Sequence, residues 1–120
     1  MACDTCQKGA HMDREAVQMA SVGLIANAGD AFSHFRAAID RAREGALEEA
    51  EAELAAGRQG IAEAHKAQID LLACEARGEG LELTLLLVHA QDHLMNAMTF
   101  ESVAREFVEL YRERRAEASS

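Results

Sequence analysis

From Asp13 to about Glu44 the apolar residues step by three or four: Val17, Ala20, Leu24, Ala28, Ala31, Phe35, Ala38 and Ala42. This is the spacing of one face of an α-helix. Ile25, Phe32 and Ile39 add a second stripe, seven apart. From about Ala46 to Arg77 the pattern repeats through Leu47, Ala50, Leu54, Gly57, Ile61, Ala64, Gln68 and Leu71. A third helical pattern runs from about Leu81 to Arg115. Gly45 and the Gly78-Glu79-Gly80 segment punctuate the three, and glycine is favoured just past a helix end. The many small residues of the second stripe let helices approach closely.

Charges support these boundaries. Asp13, Glu15, Glu48, Glu49 and Glu82 lie near expected helix starts, and Arg41, Arg43, Arg77, Arg112, Arg114 and Arg115 near expected ends. That is the polarity a helix dipole favours. Each helix spans roughly 45 Å at 1.5 Å per residue, and short connections make neighbours antiparallel. The sequence therefore predicts an all-α, up-down-up three-helix bundle. The third helix carries two apolar stripes. One is Leu87, Ala90, Leu94, Ala97, Ala104, Val108 and Tyr111; the other is Leu86, Phe100, Val103, Phe107 and Leu110. A helix apolar on two faces has to bury both, so the second predicts a homo-oligomer with this helix at its centre.

Composition narrows the function classes. In 120 residues there is no proline, and aromatics are 4%, which favours long helices over strands and irregular loops. Length predicts one domain over residues 13–115, flanked by tails at 1–12 and 116–120. Gly9-Ala10-His11-Met12 reads as a remnant of cloning. The net charge of −9 argues against nucleic acid and an anionic membrane surface as partners. The longest apolar run, Leu85 to Val88, falls far short of the roughly 18 residues a membrane span needs, so no direct membrane insertion is expected. Cys3, Cys6 and Cys74 are an odd set that fits reduced thiols in the cytoplasm. Cys74 reads as a small core residue. Cys3 and Cys6 lack the second pair of a zinc site.

Within the second stripe of the third helix lie His89, Asp92, His93 and Asn96. Spacings of three and four place them on adjoining positions of one face. Leu85-Leu86-Leu87-Val88 precede them and Leu94-Met95 follow, and polar groups in such a setting cost free energy unless satisfied. Three readings are open on spacing alone. The histidines are satisfied packing residues. Or His89 and His93 share a metal ion, joined by Asp92 or Glu63. Or a histidine accepts a phosphoryl group, since neutral imidazole is a good nucleophile near its reference pKa of about 6.5, and the second imidazole holds the added charge by hydrogen bonding.

The segment Val88-His89-Ala90-Gln91-Asp92-His93-Leu94-Met95 resembles the active-site segment of the lactose/cellobiose-type enzyme IIA proteins of the bacterial phosphoenolpyruvate-dependent sugar phosphotransferase system. Gly23 to Ala31 is similar to that family's first helix. Glu63-Ala64-His65 with Gln68 is similar to its second, Gly78-Glu79-Gly80 to its second turn, and Glu109-Leu110-Tyr111 to its end. Alanine after the first histidine looks more like the N,N′-diacetylchitobiose and cellobiose branch than the lactose branch. Phe32-Ser33-His34-Phe35 departs from the smaller and basic residues expected after the first-helix motif.

The resemblance implies that His89 takes a phosphoryl group from the phosphocarrier HPr and passes it to a cysteine of the cognate IIB, with His93 and Gln91 helping to hold it. It implies a homotrimer whose threefold axis gathers three copies of Asp92 around one structural divalent cation, Mg²⁺ being expected. The sugar would be bound by IIC rather than by this chain. His34 and His65 are expected to be structural. The runner-up is a metal-binding or purely structural helical bundle.

Overall fold

Asp13 starts the first helix by capping it: its Oδ1 accepts the Ala16 amide at 2.8 Å, satisfying one of the four free N–H groups of a helix start. In this computed structural model, which describes residues 12–119, three helices follow: α1 (Arg14–Arg43), α2 (Leu47–Ala76) and α3 (Leu85–Ser119). Among the described residues there is no strand. The chain forms the expected all-α, up-down-up bundle. The glycines close the first two helices as read. The Gly45 amide bonds to the Ala42 carbonyl at 3.0 Å and the Ala46 amide to the Arg41 carbonyl at 2.9 Å, the pair of bonds that ends a helix at a left-handed residue. Gly45 and Gly78 have φ of 89° and 79°, a region that other residues enter only at a cost.

Two helix boundaries differ from expectation. α3 begins at Leu85, because Thr84 is its cap: the Thr84 hydroxyl accepts the Leu87 amide at 3.1 Å. Glu82 therefore lies in the connection, where it pairs with Arg14 at 3.4 Å instead of facing a helix dipole. At the other end α3 continues through 116–119, which hold good helix formers and no breaker. Arg112, Arg114 and Arg115 thus sit inside the helix rather than in its last turn. Arg112 bonds across to Glu51 on α2 at 2.6 Å. Met12, expected in the tail, packs against the core. Cys3, Cys6 and His11 lie outside the described residues.

α1 packs along both other helices, and α2 and α3 meet over a shorter stretch. The core is the predicted stripes. At the end bearing the histidine motif, Val17, Leu24 and Ala28 of α1 meet Ala64 and Leu71 of α2 and Leu87, Ala90, Leu94 and Ala97 of α3. Burial of each Leu or Val contributes about 1.5–3 kcal/mol. At the other end Phe35 fills the space between Ala50, Leu54, Ala104 and Val108. Cys74 is buried as expected, its thiol donating to the Glu79 carboxylate at 3.1 Å. Of the second α3 stripe, Phe100 is half-covered by stacking on Phe32 (centroids 4.3 Å apart), whereas Val103, Phe107 and Leu110 stay open to solvent. Among the described residues no helix is long and apolar enough to cross a membrane.

His34 links α1 to α2. Its Nδ1 lies 2.6 Å from Glu53 Oε2 and its Nε2 lies 3.5 Å from Asp30 Oδ2. The Glu53 hydrogen bond holds the imidazole pKa above its ordinary value; burial opposes this and the Asp30 charge adds to it.

Two outcomes are expected. Gly57 faces the ring of Phe35, which has no exposed surface, and a Cβ there collides with that ring. Gly57→Ala should therefore cost about 1–2 kcal/mol in urea unfolding, overpacking exceeding the gain in helix propensity; a more stable variant would contradict this packing. For His34 the folded pKa exceeds the unfolded one. Its contribution is therefore full below about pH 6.5 and lost as pH rises through the folded value. Wild type should exceed His34→Gln in stability most at about pH 6, and the gap should close in the alkaline direction. A gap that widens with pH would reverse the sign.

Candidate functional site

The rotation of α3 is set by burial. Ala90, Leu94 and Ala97 have no exposed surface, so every other residue on this stretch has its direction fixed at 100° per residue. His89 and Asp92 consequently face outward and His93 is half-buried. One turn apart, the two imidazoles meet edge to face, with Nε2 of His93 3.0 Å from Nε2 of His89. Such a contact needs one N–H and one lone pair, so one ring donates and the other accepts. The accepting ring is a neutral imidazole whose Nε2 lone pair is engaged by the other ring's N–H. The donating ring holds an N–H one turn from the other ring and able to move to an acceptor that approaches it.

Asp92 adjoins this pair without joining it. It is exposed and makes no hydrogen bond or ion pair among the described residues. Leu85, Val88 and Met95 share its face and are 85%, 49% and 54% exposed, so a lone carboxylate sits in an uncovered apolar stripe. Asn96 and His93 line a notch of about 270 Å³ with Ala28, Gly29 and Phe32. Leu85 and Leu86 form an open apolar surface around His89.

Gln91 is placed elsewhere. Residues two apart on a helix face nearly opposite ways, and Gln91 turns toward α2, where its Oε1 accepts from Gln68 Nε2 at 2.7 Å. It lines a groove of about 310 Å³ with Leu72, Leu81, Leu83 and Val88. The protomer thus brings His89 and His93 together, with Asp92 next to them, and does not bring Gln91 to His89. The partner of Gln91 had one signal in the sequence: Gln68 is the polar member of an otherwise small and apolar α2 stripe.

The remaining candidates stand apart. Glu63 is engaged on the outer face of α2 by Gln59 and Lys66 at 3.2 and 3.3 Å, and His65 is exposed beside it. His34 is held by Glu53, as a structural residue. Among the described residues no three His, Cys, Asp or Glu side chains gather as metal ligands. A shared site built from His89, His93 and Glu63 within one protomer is therefore not formed.

The chain matches the family model described as "PTS system, Lactose/Cellobiose specific IIA subunit" over residues 19–112. It is 40% identical over 101 residues to the lactose-specific EIIA component of Streptococcus mutans, covering 84% of this chain and 97% of that one. It is 46% identical over 88 residues to the lichenan-specific phosphotransferase enzyme IIA component of Bacillus subtilis, covering 73% and 80%. Among solved structures, the cellobiose-specific enzyme IIA from Bacillus anthracis superposes with a TM-score of 0.82 at 40% identity, covering 89% of this chain and 96% of that one.

Proposed function

The chain belongs to the lactose/cellobiose-specific IIA family of the phosphotransferase system and is one of its phosphotransferase carriers; on that premise we propose that it carries the phosphoryl group on His89. The group arrives from HPr and leaves to a cysteine of the cognate IIB, during uptake of a β-linked disaccharide such as chitobiose, cellobiose or lactose. The sugar itself is bound by IIC. The observation that carries this reading is the exposed His89 ring with its Nε2 3.0 Å from Nε2 of His93. The names of the lactose-, cellobiose- and lichenan-specific relatives support the sugar class.

The chemistry asks for positioning and charge stabilisation more than covalent work. With His93 donating, His89 keeps its proton on Nδ1 and a lone pair on Nε2. As the donor docks, the His93 N–H moves from His89 Nε2 to a phosphoryl oxygen; the freed lone pair attacks phosphorus in line as the bond to the donor's phosphohistidine nitrogen breaks, and the bonding pair returns to the donor ring. The new His93 N–H to phosphoryl oxygen bond is charge-assisted and so stronger than the one it replaces. In the second transfer a thiolate of IIB forms the S–P bond and the N–P pair returns to His89. The apolar surface around His89 serves docking, which excludes water from the moving group.

The uncovered stripe of Leu85, Val88, Asp92 and Met95 supports a homotrimer with α3 at its centre. One protomer offers a single unpartnered carboxylate oxygen donor at this position, so a cation fits only where other copies add theirs. Asp92 of each copy would then hold a divalent cation such as Mg²⁺, whose charge offsets the mutual repulsion of buried carboxylates. This role is structural.

Incubation with phosphoenolpyruvate, enzyme I and HPr should add one acid-labile phosphoryl group per chain by intact mass. His89→Ala should abolish it, whereas His93→Ala should accept the group but lose it faster. No added phosphate, with donors competent on a known acceptor, would refute the assignment. Asp92→Leu should remove a bound divalent ion, read by elemental analysis of the trimer, and leave phosphorylation in place. A wild-type chain that is monomeric at micromolar concentration by light scattering would refute the axial arrangement.

A further inference from the structure

The Nε2 atoms of His89 and His93 lie 3.0 Å apart, with the rings edge to face. Two imidazoles on one tetrahedral zinc ion, each about 2.0–2.1 Å from the metal, hold their nitrogens about 3.3 Å apart. The pair therefore sits within a few tenths of an ångström of that bite. Four residues apart on a helix is also the spacing at which two histidines reach one metal. The donating ring can shift its Nε2 proton to Nδ1 through water, which leaves both Nε2 lone pairs free. His89 is exposed and His93 half-buried, so water reaches the remaining coordination positions. The net charge of −9 draws cations toward the chain. His34, by contrast, has a carboxylate at each ring nitrogen, and His65 is exposed on another helix.

We propose that His89 and His93 chelate a borderline-soft divalent ion such as Zn²⁺ through their Nε2 atoms, and that this ion and the phosphoryl group exclude one another. The chelate is read from geometry; the exclusion rests on the phosphocarrier reading above. Both occupants use the same lone pair of His89 Nε2, and a nitrogen bonded to phosphorus has none left to give. The protein supplies fewer ligands than a permanent zinc site has, so the ion exchanges, and free zinc sets the fraction of chain able to accept a phosphoryl group. The cation at Asp92 differs in kind. Oxygen ligands suit a hard ion such as Mg²⁺, whereas imidazole nitrogen selects zinc and copper.

Calorimetric titration of the full chain with Zn²⁺ tests the chelate. Cys3 and Cys6 are thiols that bind zinc in their own right, so both are changed to serine throughout. This parent should take one Zn²⁺ per chain. His89→Ala and His93→Ala should each weaken binding by about tenfold or more, since even removing a group that only orients a metal ligand costs about 10–100-fold. Asp92→Leu should stay within about twofold of the parent, and excess Mg²⁺ should not displace the zinc. Thermal unfolding checks that each variant is folded. A parent that takes no zinc overturns the proposal. So does binding that survives in both histidine variants, or that is lost in Asp92→Leu.

The exclusion is read as the rate of transfer from isolated phosphorylated HPr. Zinc at about ten times its dissociation constant should slow acceptance about tenfold, and a chelator should restore it. His93→Ala, compared with its own zinc-free rate, should slow by no more than about twofold. An acceptor without such a histidine pair shows whether zinc acts on HPr itself. Equal slowing of parent and His93→Ala overturns the exclusion. A chain that binds zinc but takes no phosphoryl group from competent donors refutes the phosphocarrier reading and leaves the chelate standing. A chain that is phosphorylated but binds no zinc refutes only the present proposal.

Discussion

The rotation of α3 about its own axis is the constraint on which the rest depends. Ala90, Leu94 and Ala97 are sealed against α1 and α2. Turning the helix by one residue would expose Leu94 and drive a charged or imidazole side chain into the core. Either change costs several kcal/mol. The directions of His89, Asp92, His93 and Gln91 are all consequences of that single angle. The position of each of these side chains is set by the packed core beneath it rather than by a loop.

The same angle divides the motif into three tasks. His89 and His93 pair on the outer side of the helix. Asp92 joins Leu85, Val88 and Met95 on a stripe that no part of the protomer covers. Gln91 faces α2 and is held there by Gln68. Residues contiguous in sequence therefore serve separate surfaces, because each step along a helix rotates by about 100°. The smallness of the α2 residues matters to this arrangement: Gly57 under Phe35 and Gly60 against Ala31 allow the close helix approach that keeps α1, and with it the buried face of α3, in register.

Much of this was legible beforehand. The stripes of α1 and α2 named the core nearly residue for residue, since a period near 3.6 in apolar positions has one economical explanation. Gly45 and Gly78 marked the helix ends because a left-handed residue is needed there. The start of α3 was less legible. Leu81 and Leu83 continue the apolar pattern, but Thr84 offers a hydroxyl to the Leu87 amide, and that local hydrogen bond decides the boundary. The far end was hidden for the opposite reason: clustered arginines resemble a last turn, yet Arg112 is occupied laterally by Glu51 on α2.

The sequence by itself determined the helical class, the three segments, the buried stripes and the identity of the motif, because these depend on the order and spacing of residues along one chain. Its family, read from the same motif, agrees with the comparisons. Only the tertiary structure decided which members of the motif meet. The approach of His93 to His89, the isolation of Asp92 and the capture of Gln91 by Gln68 depend on the rotation of α3 against two other helices. That rotation minimises exposed apolar area over the whole bundle, a quantity that belongs to no single segment.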